Sequence, residues 1–332
     1  MGILARSRVR YVREWLDCMK AIGNRLGRVK IVTNAGGLDP VAFKKALEHI
    51  AQENGWSWTI ACVYGDDVLE NLDSLPIQPF QHVDADQAQS VPKDKMILSC
   101  NAYHGAYGIL NALDSGAQIV ICGRVADSAL VLGPLLHHYR WHTEPNPWDK
   151  LAMGCLAGHV IECGAQATGG NFTDWRQSSK LGGWANIGFP IVHVHPSAEF
   201  IVTKPEETGG CVNIGTVSEQ ILYETLDPEK YLLPDCILDL RHVHLQDLGA
   251  DRILVTNGRG MPPPNTLKLS GVYVDGWKIV GELVITGFDA REKAVAVAQA
   301  IRNKSSNIMQ SRNFKPFNDF CIECLGSEAL FG

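Results

Sequence analysis

VKIVTNAGGLDPVAFKKALEHIAQEN, from Val29 to Asn54, carries the plan of a strand that turns into a helix. Val29 to Thr33 is an apolar, β-branched run of strand length. Asn34, Ala35, Gly36 and Gly37 make the turn, and Asp39 stands where an N-cap accepts a backbone N–H. Pro40 takes the first helical position, where its missing N–H leaves nothing unpaired. The same order recurs downstream. Strands are expected at Trp58 to Tyr64, Met96 to Cys100 and Gln118 to Cys122, and helices at Pro40 to Asn54, His104 to Ser115 and Ser128 to Tyr139. Strand and helix in alternation predict a parallel sheet, whose right-handed crossovers bring the strand ends to one edge.

Upstream, the first thirty residues hold eight Lys or Arg against two acids, and Val12, Trp15, Leu16, Met19, Ile22 and Leu26 recur at helical spacing. A mitochondrial transit peptide has this pattern. A first helix packed on the strand at Val29 has it too, and the short Gly-containing turn before that strand favours the packed helix. Downstream of Pro145 and Pro147 the pattern changes to hairpins. Alternating runs at Ile187 to His195, Ala198 to Lys204, Cys236 to Leu245, Arg252 to Asn257, Leu267 to Val274 and Lys278 to Thr286 are expected to pair locally. Asp275-Gly276 is a two-residue hairpin turn between the last two. The expected fold is therefore α/β, with a mostly parallel sheet and flanking helices in the N-terminal half. A mixed α+β region with antiparallel hairpins follows. Residues 1–148 and 149–332 are the expected domains.

Composition narrows the function. With 30 Lys and Arg against 36 Asp and Glu the formal charge is −6, so there is no basic footprint for nucleic acid. No apolar run reaches the roughly 18 residues of a membrane span, and a cytoplasmic location is expected ahead of a mitochondrial one. The ten cysteines are scattered, and Cys62, Cys100 and Cys122 lie in apolar runs, as reduced core thiols do. Cys321 and Cys324 form a CxxC without a second pair, so no metal is expected there.

The chemistry concentrates between Met153 and Trp175, in MGCLAGHVIECGAQATGGNFTDW. At about 100° per residue, Cys155, His159, Glu162 and Gln166 fall within an arc of roughly 60°, with Met153, Leu156, Val160 and Ala167 opposite. This reads as an amphipathic helix whose polar stripe carries a thiol, an imidazole, a carboxylate and an amide, and which stops at Gly169-Gly170. His159 and Glu162, three residues apart, are the expected acid–base pair, with Gln166 orienting a substrate. Cys163 or Cys155 would serve as a nucleophile if a cationic imidazole lowered the thiol. Metal ligation by His159 and Glu162 with a distant carboxylate is the lesser reading, because the order and spacing differ from helical metal motifs.

Ligands of open α/β sheets bind beyond the carboxyl ends of the strands. Here those positions carry Asn34, Gly36 and Gly37, then Asp66 and Asp67, then Tyr103, then Arg124. Asp127 follows as a helix cap and joins the acid–base set. The Asn34 to Gly37 loop is either an anion cradle or a tight turn. Arg124 either holds a ligand anion or pairs with Asp127. A further glycine loop, Thr208-Gly209-Gly210, with Gly169 and Gly170, completes the expected binding residues, and leads to a helix at Thr216 to Thr225 carrying Glu219 and Gln220.

In order along the chain, TNAGGLDP at Thr33 to Pro40, GDD at Gly65 to Asp67 and GRVADSALVLGPL at Gly123 to Leu135 resemble the acyclic terpene utilisation protein A family. So do GHVIECGAQATGGNF at Gly158 to Phe172, TGGCVNIGTVSEQILYE at Thr208 to Glu224 and LKLSG at Leu267 to Gly271. The resemblance implies a role in the bacterial breakdown of citronellol and geraniol, whose intermediates are branched acyl-CoA thioesters. It implies acid–base chemistry, such as hydration, dehydration or isomerisation, on a small-molecule substrate that includes a CoA thioester, and no cofactor. Cysteine-dependent acyl transfer or thioester hydrolysis is the second class. Family members begin with a further glycine-rich strand and helix, so the resemblance also implies a chain truncated at both ends. A third reading is then a non-catalytic paralogue that pairs through an exposed sheet edge with a second copy or a partner.

Overall fold

The computed structural model describes residues 18–19, 22, 29–74, 80–81, 88–89, 95–180 and 183–326. Its chain divides into two compact units, Met1–Val274 and Asp275–Gly332.

The first unit opens with β1 (Ile31–Thr33), α1 (Pro40–Glu53) and β2 (Ile60–Val63). A short antiparallel pair follows, β3 (Phe80–Gln81) and β4 (Ala88–Gln89). Next come β5 (Ile97–Ala102), α2 (Tyr107–Asp114), β6 (Ile119–Cys122) and α3 (Ala129–Tyr139). The parallel sheet has the order β1-β6-β2, with Ile119 of the central strand opposite both Ile31 and Ile60. All four residues of β6 are buried, as a strand covered on both faces requires. Its alternation divides the core. Ile119 and Ile121 pack with Phe43 and Leu47 of α1 and with Met19, whereas Val120 and Cys122 join Ile109, Leu110 and Leu132 from α2 and α3. Full burial of each such side chain contributes roughly 1.5–3 kcal/mol. Met19 is fully buried in that cluster. The rest of the basic N-terminal pattern lies outside the described residues, apart from Cys18, Ile22, Val29 and Lys30.

The cap read from the sequence is present: Asp39 Oδ1 accepts from Ala42 N at 3.0 Å, and α1 starts at Pro40. The third expected parallel strand is a correction. Residues 97–102 pair antiparallel with β14 (Leu269–Tyr273), Leu269 opposite Ala102. A short apolar run does not declare its partner's direction, and here Val68 N and Ala102 N bond Cys100 O and Asp66 O, holding β5 beside the 66–68 loop instead of beside β2. The expected helix start at His104 is also displaced, to Tyr107. His104 forms a parallel bridge with Val125, and the Asp235 carboxylate takes Ala106 N at 2.8 Å.

Beyond residue 148 the unit continues as α4 (Trp148–Ile161), a 3-10 turn at Gly164–Thr168 and α5 (Trp175–Lys180). The expected hairpin forms as β7 (Ile191–Val194) and β8 (Phe200–Thr203). α6 (Ile214–Leu222) begins with a capping box between Asn213 and Thr216. The remaining strands are β9 (Tyr231–Leu232), β10 (Ile237–Asp239), β11 (His244–Asp247), β12 (Ile253–Thr256), β13 (Arg259–Met261) and β14. They form antiparallel sheets β11-β12-β8-β7 and β13-β10-β9. The expected strand from Cys236 to Leu245 is thus two strands in different sheets. Asp239 bends the chain between them by accepting from Arg241 N and its guanidinium. One hydrophobic core runs through both sides of residue 148, from Ala106 and Leu132 to Leu156, Phe200, Leu238 and Val255.

The expected amphipathic helix is another correction. Every residue of α4 from Leu151 to Val160 is buried, so the helix has no solvated face. It packs against α3, β10 and β13, and small residues admit the neighbours. A Cβ on Gly158 would lie 2.7 Å from Ser128 Cα, so nothing larger than glycine fits there.

The second unit holds α7 (Ala290–Ser311). Residues 275–289 form no strand, so the hairpin expected at Asp275-Gly276 is absent. Its first arm, Leu269–Tyr273, is paired with β5 instead, and Trp277, Ile279, Val280 and Val284 of the second arm are exposed. Among the described residues no helix is long and apolar enough to cross a membrane.

Candidate functional site

The end of α4, the loop after β6 and the chain around Tyr231 build one cluster of ionisable groups. His159 is 1% exposed. Its Nε2 lies 3.2 Å from the carbonyl oxygen of Ile221, which makes that nitrogen the N–H donor. Nδ1 faces Glu162 Oε1 at 3.2 Å and the Tyr231 hydroxyl at 3.4 Å. The Tyr231 ring meets the imidazole edge to face, with centroids 5.3 Å apart. Gln220 Nε2 donates to the His159 carbonyl at 2.9 Å, tying α6 to α4. One ring nitrogen is committed to a carbonyl, and the other lies beside a carboxylate and a phenolic hydroxyl. His159 is therefore enclosed, and Glu162, whose side chain is 15% exposed, is the member of the pair that reaches outward.

Asp127 Oδ1 accepts from Asn34 Nδ2 at 2.8 Å, joining the loops after β1 and β6. Burial pushes the Asp127 carboxyl up from its ordinary value, and the Glu162 carboxylate pushes it further; Asn34 and Arg124 act the other way, and Glu224 adds to the rise. Tyr231 is likewise held well above an ordinary phenol by burial and by Glu162, Glu224 and Asp127, so it stays a neutral hydroxyl. These mutual influences place Asp127, Glu162, Glu224 and Tyr231 in one electrostatic neighbourhood.

Both candidate thiols are held above the ordinary cysteine value. Burial raises the Cys163 thiol, Gln220 opposes it, and the carboxylates of Glu162, Glu224 and Asp127 add smaller increments upward. Cys155 is fully buried with its sulfur 3.8 Å from Cys236, and that contact and burial hold its thiol protonated. Gln166 lies in the 3-10 turn after α4 ends, off the register that carried the stripe.

Other expected binding residues are fastenings. Asp66, 4% exposed, accepts from Asn101 Nδ2 at 2.9 Å and Arg124 N at 2.8 Å. Asp67 Oδ1 accepts from Leu69 N. In the Asn34 loop, Gly37 N and Asp39 N bond Asn34 O and Gly36 O, and Ala35 N bonds Thr33 Oγ1. A Cβ on Gly36 would meet Cys122 O at 2.4 Å. The loop is a tight turn seated on β6, and the group it presents is the Asn34 amide. Gly169 N and Gly170 N bond Gln166 O and Ala165 O, and Gly209 N bonds Asn186 O. Thr208 Oγ1 donates to Pro205 O, and Gly210 adopts φ +78° against the Thr168 carbonyl. That second glycine loop supports the 3-10 turn and α6.

Arg124 and Asp127 do not form the alternative ion pair within 4 Å; the guanidinium instead lies over the Tyr103 ring, 5.3 Å from its centroid. Among the described residues no three His, Cys, Asp or Glu side chains are grouped to hold a metal ion. Sequence reading missed Tyr231 and Glu224, and saw Gln220 without a role. Gln220 and Glu224 both lie in the TVSEQILYE segment, which was the available signal; Tyr231 gave none.

A family profile described as acyclic terpene utilisation family protein AtuA matches residues 5–330. The chain belongs to that family. No curated protein and no solved structure matches it. The AtuA motifs at Thr33 to Pro40, Gly123 to Leu135 and Gly158 to Phe172 supply Asn34, Asp127, His159 and Glu162, four of the residues gathered in the cluster.

Proposed function

We propose that this AtuA family chain catalyses proton transfer on a branched, terpenoid acyl substrate, as the free acid or the CoA thioester, with Asp127 and Glu162 as its acid and base. Membership of the family supports a role in acyclic terpene utilisation. The observation that carries the chemistry is the setting of two carboxyls: burial and the charge of Glu162 push Asp127 toward its protonated form, while Glu162 Oε1 lies 3.2 Å from His159 Nδ1. Two carboxyls whose surroundings separate them divide acid and base roles.

In a dehydration, Glu162 removes the proton beside the substrate carbonyl as the C–O bond breaks. Asp127 gives its proton to the departing oxygen, which leaves as water, and the double bond forms between the two carbons. Hydration is the reverse, and isomerisation uses the same two groups to take and return a proton. His159 and Tyr231 are positioning residues for Glu162, and Asn34 fixes Asp127.

The test is turnover of branched 3-hydroxyacyl and enoyl-CoA thioesters by wild type, Glu162→Gln and Asp127→Asn, each checked for folding. The proposal expects both variants to lose about 10²-fold or more in kcat. Turnover that survives both substitutions removes the assignment.

A further inference from the structure

One aromatic ring in the first unit carries two cations. The Arg124 guanidinium carbon lies 5.3 Å from the Tyr103 ring centroid and Lys268 Nζ lies 5.1 Å from it. Both charged residues are exposed, and among the described residues neither has a carboxylate oxygen within 4 Å. The nearby acids are engaged elsewhere: Asp66 with Asn101 and the Arg124 backbone, Asp67 with Leu69, Asp127 with Asn34.

The three segments that bear this group are laced together by backbone hydrogen bonds. Tyr103 N donates to Lys268 O at 2.9 Å, His104 N to Arg124 O at 3.3 Å and Ala126 N to His104 O at 2.9 Å. Each cation is held weakly by the ring at an exposed position, yet two like charges brought to one ring repel. A ligand that carries at least two negative charges relieves that repulsion. Arg offers a planar fork and Lys a point charge, the combination that suits phosphate oxygens.

We infer that Arg124, Tyr103 and Lys268 form a phosphate-binding station, so that the substrate arrives on a phosphorylated carrier and not as a free acid. The inference rests on the acid–base reading above for the identity of the reacting end. Arg124 connects the two places, because its charge also acts on Asp127. The Tyr103 ring, with cations on it, serves to hold them and leaves the phosphate as the recognised group.

Calorimetric titration tests this with pyrophosphate, CoA and a branched carboxylate lacking phosphate as separate probes. Wild type is expected to bind CoA and pyrophosphate with affinity that falls as salt rises. Lys268→Ala and Arg124→Ala should each weaken binding at least tenfold, Lys268→Arg should retain it, and the plain carboxylate should not compete. Unchanged affinity in Lys268→Ala, or no binding of either phosphate probe to folded wild type, overturns the inference. Phosphate binding without turnover of any thioester removes the acid–base reading and leaves this one standing. Turnover lost in Glu162→Gln but with KM unmoved in Lys268→Ala does the opposite.

Discussion

Oε1 of Glu162 lies 3.2 Å from Nδ1 of His159, one turn earlier on the same helix, and the imidazole is enclosed by Tyr231 and the Ile221 carbonyl. His159→Phe keeps a ring there but leaves that carbonyl and hydroxyl without their partner. The expected loss is about 2–3 kcal/mol of stability, read as a lower urea midpoint. Activity should fall as well, although the ring itself does not meet substrate. An unshifted midpoint would contradict the contacts described.

Asp127 sets the direction of the pH–rate profile. A raised carboxyl that acts as an acid is present in its working form below that raised value, so kcat/KM in the dehydration direction should fall as pH rises through it. In Asp127→Asn this limb should disappear along with most of the rate. A profile with the same limb in the variant would assign it to another group.

Asp235 gives a stability signature of its own. Buried against Ala106 N, its carboxyl is pushed up to about 6 by burial. Because the folded protein binds this proton more tightly than the unfolded chain, stability is greatest below the ordinary value and is lost as pH rises toward 6 and through it. At about 1.36 kcal/mol per unit the effect is roughly 3 kcal/mol. Asp239 acts with the opposite sign: its Arg241 contact lowers it to about 2, so its stabilisation holds above the ordinary value and is lost as pH falls toward 2. Urea midpoints across pH in wild type and Asp235→Asn should differ in slope between about pH 4 and 6.

Gly158→Ala forces a methyl against the Ser128 backbone. Overpacking of this kind costs about 1–3 kcal/mol, and the gain of roughly 1 kcal/mol in helix propensity does not offset it. Gly271→Ala, where no atom lies within 4 Å of the added carbon, is the control and should change the melting temperature little. Equal melting temperatures for the two variants would mean that α3 and α4 can move apart.

The repeated strand-to-helix plan was legible because each unit carries its own local signals, as Asp39 and Pro40 do for α1. Pairing was not. The run at Ile97 to Ala102 has the right residues for a strand, but its partner at Leu269 to Tyr273 lies far along the chain, and alternation holds no record of that distance. The polar stripe on α4 was visible as composition, and His159 with Glu162 was found from it. Its exposure was misread, because the helix is enclosed by strands that periodicity within the helix cannot reveal. Tyr231 and Glu224 enter the site only through tertiary packing. The glycine loops drew attention as ligand cradles, whereas Gly36 and Gly210 answer to close approach by backbone carbonyls.

The hydrogen bond from Asn34 to Asp127 joins positions 93 residues apart, and Glu162 and Tyr231 come from still later segments. No stretch of nascent chain can assemble this cluster alone. Long loops must close before it exists, and contacts of such separation are slow to form. During refolding, helical signal should therefore return before catalytic competence, and the interval between the two would time the arrival of the last distant segment.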